Sequence, residues 1–342
     1  DILLTDAFFA LAQNLKYGVR YSYVNDEDSL CADLLNSALT GRGIKQALES
    51  QEPVLKGYIA LKQGLRVMLD SAKMPTIDSA SLRQNVQLIS INLERWRAEN
   101  EHIGKRYIFI NIPSFYLDVI ENDTAILSSK VIVGTPEKPT PVLSSTVECF
   151  NVYPYWHVPK KISVKEYLPI IKNNTAFVSQ NNFDVLDRTG KILNPDSVKW
   201  EKFHENYFPV VLRQRQGPEN ALGIIKFIFD NPHAVFLHDT NAKRLFNSKI
   251  RTFSHGCIRM EKAAELAHLL VAGKVGVKSK YVSKFLKEKT QHCVDLKNPI
   301  PIHIRYFTCE FKNNVFFAYK DVYAKDAVLY ELLFPNADTI GL

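Results

Sequence analysis

This 342-residue chain has no apolar run long enough to span a bilayer and no low-complexity tract. Cysteine is scarce. The five are Cys31, Cys149, Cys257, Cys293 and Cys309, an odd number with no C-x-x-C pair, which argues against a disulfide framework and a structural zinc site. No RNA-binding aromatic motif, zinc finger or helix-turn-helix signature is present. The net charge of +7, with a pI near 9.0, therefore reads as a mildly basic surface or as attraction to an anionic polymer other than nucleic acid. His102, His157, His204, His233, His268, His292 and His303 show no ligand spacing. An initiator Met and a signal peptide are lacking, and the opening Asp1-Ile2-Leu3-Leu4 fits a processed protein.

What is present is an ordinary globular composition, 46% hydrophobic and 23% charged, in a chain longer than a usual single core. Two domains are the prior expectation. Apolar spacing of three and four predicts helices over 6–15, 30–48, 56–69 and 82–100, with Gly41 and Gly43 as punctuation. The period then changes to two. Strands are expected at 107–111, 115–120, 125–133 and 146–153, the second and third joined by a turn at Glu121-Asn122-Asp123. Short strands with tight turns argue for a sandwich or partly closed barrel. Residues 160–222 interrupt this rhythm with a helical stretch at 164–173, polar turns and a short helix at 196–203. An insertion this long is either a plain surface excursion or a lid. Strands resume at 224–229 and 234–237, a helix follows at 262–272 with Gly273 at its end, and 300–307 with 315–319 read as a closing hairpin. Residues past 327 read as a tail or a packing helix.

The chemistry concentrates in Ser254-His255-Gly256-Cys257-Ile258-Arg259. A thiol is a good nucleophile only as thiolate, and an imidazole within hydrogen-bond reach promotes that form. His255 is adjacent, and His238 lies upstream with fifteen residues between it and Ser254. Gly256 lets backbone approach a substrate carbonyl. The 262–272 helix would place its positive end near Cys257 and favour the thiolate. The bland alternatives are an inert buried thiol and satisfied structural histidines. Zinc held by His238, His255 and Cys257 is a third alternative. Cys149 and Cys309 sit in apolar strand-like runs and read as core.

The spelling of this segment resembles the signature of the L,D-transpeptidase family, whose catalytic domain is called YkuD-type. The large YcbB-like branch of that family is matched further by Gly217-Pro218-Glu219-Asn220-Ala221-Leu222-Gly223 with Ile225-Lys226-Phe227. Arg106-Tyr107-Ile108 through Asn111-Ile112-Pro113 and Val133-Gly134-Thr135-Pro136 with Thr140-Pro141-Val142 also match. So does Tyr153-Pro154-Tyr155-Trp156-His157-Val158-Pro159. The resemblance implies an α+β protein. A helical scaffold domain over 1–104 would precede a mainly β catalytic domain over 105–330, with a helical capping insertion at about 160–222 and a tail at 331–342. Only 71–81 fills the place of the branch's peptidoglycan-binding module, which is expected to be absent. Phe236 stands where the branch would carry a tyrosine, so no hydroxyl role is expected there.

The resemblance also implies roles. Cys257 is the nucleophile and His238 the general base, its other nitrogen oriented by the backbone carbonyl of Asp239; the Asp239 side chain is a further substrate-side candidate. His255 is the base itself, an oxyanion or substrate contact, or a structural group. Backbone N–H groups around Gly256 and Cys257 form the oxyanion hole. Arg259 either binds a substrate carboxylate or holds the loop through an ion pair. Trp156 lines the donor pocket or packs in the core, and Ser254 supports the loop. No metal and no cofactor are expected. The implied reaction is acyl transfer from a peptidoglycan stem tetrapeptide to a second stem, through a thioester and with loss of D-alanine, giving a 3→3 cross-link. Water as acceptor would make an L,D-carboxypeptidase, and a lipoprotein amine an anchoring enzyme. Carbapenems are the expected covalent inhibitors. An exported, periplasmic protein is implied, and a basic cleft suits carboxylate-rich wall peptides. The rivals from other classes are a hydrolytic cysteine peptidase and a non-catalytic wall-binding scaffold.

Overall fold

The computed structural model describes residues 2–19, 28–71, 79–99 and 103–335. The chain forms two units, residues 105–305 and residues 1–104 together with 306–342. The protein is a mixed α+β chain with helices at its N-terminus, a β unit and an inserted helical segment. No described helix is long and apolar enough to cross a membrane.

The first unit begins with α1 (Ile2–Tyr17), α2 (Asp28–Ser37), α3 (Ile44–Glu49), α4 (Lys56–Ser71) and α5 (Ser79–Arg97). Between α2 and α3 the chain widens into a π-turn at Ala38–Arg42 before Gly43, which adopts φ +75°. Phe8, Ala38 and Ala47 form a small core, and Tyr58, Leu61 and Ile89 are fully buried. Residues 72–78 of the short stretch expected in place of a wall-binding module lie outside the described residues, as does the Cys31 side chain.

The second unit opens with β1 (Arg106–Asn111), β2 (Tyr116–Glu121), β3 (Thr124–Gly134) and β4 (Leu143–Val152). Asn122 and Asp123 both take positive φ, 46° and 63°, which matches the strand twist in a two-residue hairpin loop. The insertion follows. It holds β5 (Trp156–His157), α6 (Lys160–Ile162), a π-turn at Ser163–Tyr167, α7 (Leu168–Asn173), α8 (Ala176–Gln180), β6 (Phe183–Leu186), β7 (Ile192–Leu193) and β8 (Val211–Gln214). Its strands form their own antiparallel sheet, ordered β5-β8-β6-β7, which the sequence pattern did not announce because two of the strands are only two residues long. Trp200, Ile171, Val178, Val185 and Leu212 pack into a separate core beneath it. Buried Asp184 accepts from Arg213 at 2.8 Å and Arg215 at 2.7 Å and ties β6 to β8.

The chain then returns to the main sheet through β9 (Ile225–Phe229), β10 (Leu237–His238), β11 (Thr252–Ser254) and β12 (Ile258–Met260). Helices α9 (Ala263–Ala272) and α10 (Lys280–Glu288) precede the long β13 (His292–Arg305). Gly273 ends α9 in the left-handed conformation. The main sheet runs β11-β3-β12-β10-β9-β4-β13-β1-β2, and β2 also pairs with β3, so the ladder closes on itself. Its interior is lined by Ile108, Ile110, Leu117, Phe150 and Phe227, all fully buried.

The end of the chain differs from the sequence expectation. Residues 300–305 belong to β13, paired with β1 and β4, and do not start a hairpin. The hairpin is β14 (Cys309–Lys312) with β15 (Val315–Ala318), and it belongs to the helical unit, so the β unit ends at Arg305 rather than near 330. The cause is local. Asn92 on α5 donates to the Thr308 hydroxyl at 2.9 Å and accepts from the Thr308 N–H at 2.8 Å, while Phe307 stacks on Trp96 at 4.1 Å. Helix α11 (Asp326–Leu333) then docks by an Arg95–Asp326 ion pair at 2.7 Å, so the described start of the expected tail is a packed helix. Residues 336–342 lie outside the described residues.

Candidate active site

Three neighbouring strands build the site. Strand β10 pairs antiparallel with β9, placing His238 opposite Lys226, and parallel with β12, placing it opposite Arg259. Paired residues share a face of a sheet, so Lys226, His238 and Arg259 stand in one row. The loop from Ser254 to Cys257 joins β11 to β12.

His238 is buried, and its Nδ1 lies 2.5 Å from the Asp239 carbonyl. A carbonyl only accepts, so Nδ1 carries the proton and Nε2 keeps a lone pair. Burial, then the Arg259 charge, drops the His238 pKa to about 3, with the carbonyls of Asp239 and Leu222 pulling the other way. The imidazole is therefore neutral at physiological pH. The Asp239 side chain is turned to structural work. It accepts from the Ile224 N–H at 3.0 Å, pairs with Lys243 and packs against Gly223, so its buried carboxylate is not available as a substrate contact.

Cys257 is half-buried. Burial pushes its thiol above the ordinary value, against the lowering effects of the Phe236 N–H, Lys226 and Arg259. The Sγ sits 4.0 Å from the Ala234 carbonyl and makes no hydrogen bond to His238 or His255 in this state. Ala234 itself holds a left-handed φ of 53°. Asn231 braces this strained turn by accepting from the Val235 N–H at 3.0 Å and donating to the Val235 carbonyl at 2.7 Å.

The expected helix contribution to the thiolate is corrected. Strand β12 lies between Cys257 and α9, about 10 Å of extended chain, whereas the dipole effect fades within the first helical turn. Of the two backbone donors expected to form an oxyanion hole, one is already engaged. The Gly256 N–H donates to the Ser254 hydroxyl at 3.2 Å, which leaves the Cys257 N–H as the free donor of the pair. Buried Ser254 also donates to the Cys257 carbonyl at 2.5 Å and braces the loop from within rather than facing substrate.

Gly256 takes φ +106°, a conformation that strains any residue with a Cβ. Its carbonyl accepts from Thr140 Oγ1 at 2.8 Å, and the same hydroxyl accepts from the Gly134 N–H at 2.9 Å. Thr140 is fully buried. Sequence reading assigned it no role, and the only signal was its place in a matched segment.

His255 makes no hydrogen bond to the thiol. Its Nε2 lies 2.6 Å from Glu166 Oε1, and Lys138 Nζ reaches the same oxygen at 3.0 Å. Glu166 belongs to the π-turn of the insertion, so this trio joins the insertion to the catalytic loop. Its two partners hold the Glu166 carboxyl below the usual range, although burial works against them.

Arg259 has no carboxylate partner among the described residues, which removes the ion-pair alternative. Lys226 is likewise without one; its ammonium lies 3.9 Å from the centre of the Phe236 ring. Trp156 packs into the aromatic core of the insertion, 6.3 Å from Tyr167 and 6.4 Å from Phe183. Away from this site, Cys149, Cys293 and Asp295 bring donor atoms within 4.8 Å of one another on β4 and β13, a grouping that sequence spacing does not show. Cys309 is buried, as its apolar run suggests.

A half-buried thiol, a neutral imidazole and a backbone N–H without a partner among the described residues are the groups that acyl transfer calls for. The family model for the L,D-transpeptidase catalytic domain matches residues 105–280, and a Scaffold domain model matches residues 1–65. The chain belongs to the L,D-transpeptidase family. A Haemophilus influenzae protein described as "Putative L,D-transpeptidase" is 32% identical over 255 residues, covering 74% of this chain and 51% of that protein. The chain thus spans about half the length of that relative. The solved L,D-transpeptidase from Mycobacterium smegmatis overlaps 59% of this chain and 58% of its own, at 12% identity and a TM-score of 0.27. L,D-transpeptidase 3 from Mycobacterium tuberculosis, in complex with a faropenem-derived adduct, overlaps 59% and 60%, at 12% identity and a TM-score of 0.28.

Proposed function

We propose that this chain cross-links peptidoglycan stems by two-step acyl transfer through Cys257. The observation that carries the reading is the tautomer of His238. Its Nδ1–H is held by the Asp239 carbonyl, and the lone pair on Nε2 is left as the site's proton acceptor. The bond of His255 to Glu166 supports assigning the base to His238 rather than to His255.

At rest the pair is thiol and imidazole, because burial raises one pKa and lowers the other. Proton transfer from Sγ to Nε2 therefore accompanies attack rather than preceding it. The sulfur bonds to the carbonyl carbon of the third stem residue, a diamino acid. The Cys257 N–H donates to the developing oxyanion, a contact whose loss typically costs ~3 kcal/mol in the transition state. Collapse breaks the amide bond, and the imidazolium returns its proton to the departing D-alanine. The side-chain amine of a second stem then attacks the thioester, His238 takes the amine proton, and the thiol is restored. An insertion that screens the thioester from water would favour the amine over hydrolysis. Carbapenems, as strained acyl donors, acylate the same sulfur. The cell envelope is where such substrates occur, and we place the protein there.

Incubation with disaccharide-tetrapeptide, followed by mass spectrometry of the products, tests the reading. Wild type forms a cross-linked dimer with loss of D-alanine, and Cys257→Ala does not. A tripeptide without dimer would replace the transferase by a carboxypeptidase. Binding without any turnover would leave a wall-binding scaffold.

A further inference from the structure

At rest the site carries two positive charges and no negative one. Lys226 and Arg259 flank His238 on the adjacent strands, and both charges act on the Cys257 thiol, so the two cations converge there. Neither makes an ion pair or a hydrogen bond to a described residue. The carboxylate next to His238 in the chain, Asp239, is engaged with Lys243, and Glu166, which holds His255, is engaged with that residue and Lys138. The partner of Lys226 on β4 is the uncharged Asn151. Partly buried cations without a counter-ion are costly, and the neutral thiol does not compensate them. Such an arrangement is completed by an anion that arrives with the ligand.

We propose that Lys226 and Arg259 form a two-point carboxylate subsite beside Cys257 that holds the acyl donor. Lys226 is the specificity-determining member. Its ammonium lies over the Phe236 ring, which itself packs 5.5 Å from the His238 ring, so an aromatic shelf holds the charge beside His238. Two carboxylates of a stem tetrapeptide fit this chemistry, the terminal one on D-alanine and the one on the side chain of the third residue. The identity of the donor rests on the acyl-transfer reading, whereas the need for an anion does not.

Binding measured in a Cys257→Ala background separates recognition from turnover. Titration calorimetry would compare three tetrapeptides: the free acid, the C-terminal amide and the side-chain amide of the third residue. Lys226→Gln is expected to weaken the free acid about tenfold or more, the usual loss for a charge-assisted contact. For the peptide whose amide replaces the recognised carboxylate, the same substitution should cost under about twofold, which identifies the carboxylate. Lys226→Arg should retain most of the affinity for the free acid. Equal weakening of all three peptides, no weakening of any, or no binding of the free acid to the parent would overturn the subsite. Selective binding in this background, together with no D-alanine release by wild type, would leave the subsite standing and remove the transpeptidase reading.

Discussion

Thr140→Val is the sharpest perturbation of the catalytic loop. It exchanges a hydroxyl for a methyl of nearly the same size, so it changes hydrogen bonding and little else. Two partners lose their bonds: the Gly256 carbonyl, 2.8 Å from Oγ1, and the Gly134 N–H, 2.9 Å away. The site is fully buried, so water does not replace them without rearrangement. An unsatisfied buried polar group costs about 1–3 kcal/mol, which puts the loss of stability at about 2–6 kcal/mol for the two together. The Gly256 carbonyl and the Cys257 N–H belong to one peptide plane, so releasing the carbonyl also misaims the N–H proposed as the oxyanion donor. A misplaced donor of this kind typically lowers kcat by about 100-fold. Urea denaturation and steady-state D-alanine release would read the two effects. Thr140→Ser, which keeps the hydroxyl, should restore most of both. A Thr140→Val enzyme with unchanged midpoint and unchanged kcat would show that the Thr140 hydroxyl does not hold the loop.

Glu166→Gln should loosen the insertion from the catalytic loop by about 1 kcal/mol, a modest value because Glu166 and His255 are each 38% exposed and solvent screens them. Hydrogen exchange at Ser163–Tyr167 should rise about fivefold, and an unchanged rate would show that the trio holds nothing. Asp184→Ala removes a buried carboxylate from two arginines and should destabilise the insertion by about 3 kcal/mol, read by limited proteolysis within 160–214; wild-type resistance would contradict this. With its pKa lowered to about 3, His238 binds a proton in the unfolded chain well before it does in the folded one. Its contribution to stability is therefore complete above about pH 6.5 and is lost as pH falls toward 3, which a comparison of acid unfolding with His238→Gln would reveal. Alkylation of Cys257 should show no step near pH 6.5 and should climb only in the alkaline range, because the imidazole stays neutral and burial raises the thiol. A plateau already at pH 6 would indicate a preformed ion pair.

The candidate thiol, the upstream histidine and the longer strands of the main sheet were legible because they are local, whereas the short β11 and β12 on either side of Cys257 were not. Ser254 through Arg259 is a contiguous word, and period-two runs mark β1 to β4 and β9. What escaped is what the fold assembles from a distance. Thr140 reaches Gly256 across 116 positions, and Glu166 reaches His255 across 89. No local pattern signals either contact. The hairpin at Cys309–Lys312 and Val315–Ala318 was read as part of the β domain because alternation shows that a strand forms, not where it packs. Asn92 and Trp96, more than 200 residues earlier, decide that. The helix-dipole expectation failed for a smaller reason. Three residues after Cys257 form a strand, which moves the start of α9 out of range.

The central claim is that Cys257 carries the acyl group. Intact-protein mass spectrometry with a disaccharide-tetrapeptide whose side-chain amine is blocked tests it most directly, since no acceptor is then present to discharge the thioester. The expected product is an adduct of the donor minus D-alanine, mapped to Cys257 and absent from Cys257→Ala. An adduct on another residue, or D-alanine release by the Cys257→Ala variant, would contradict it.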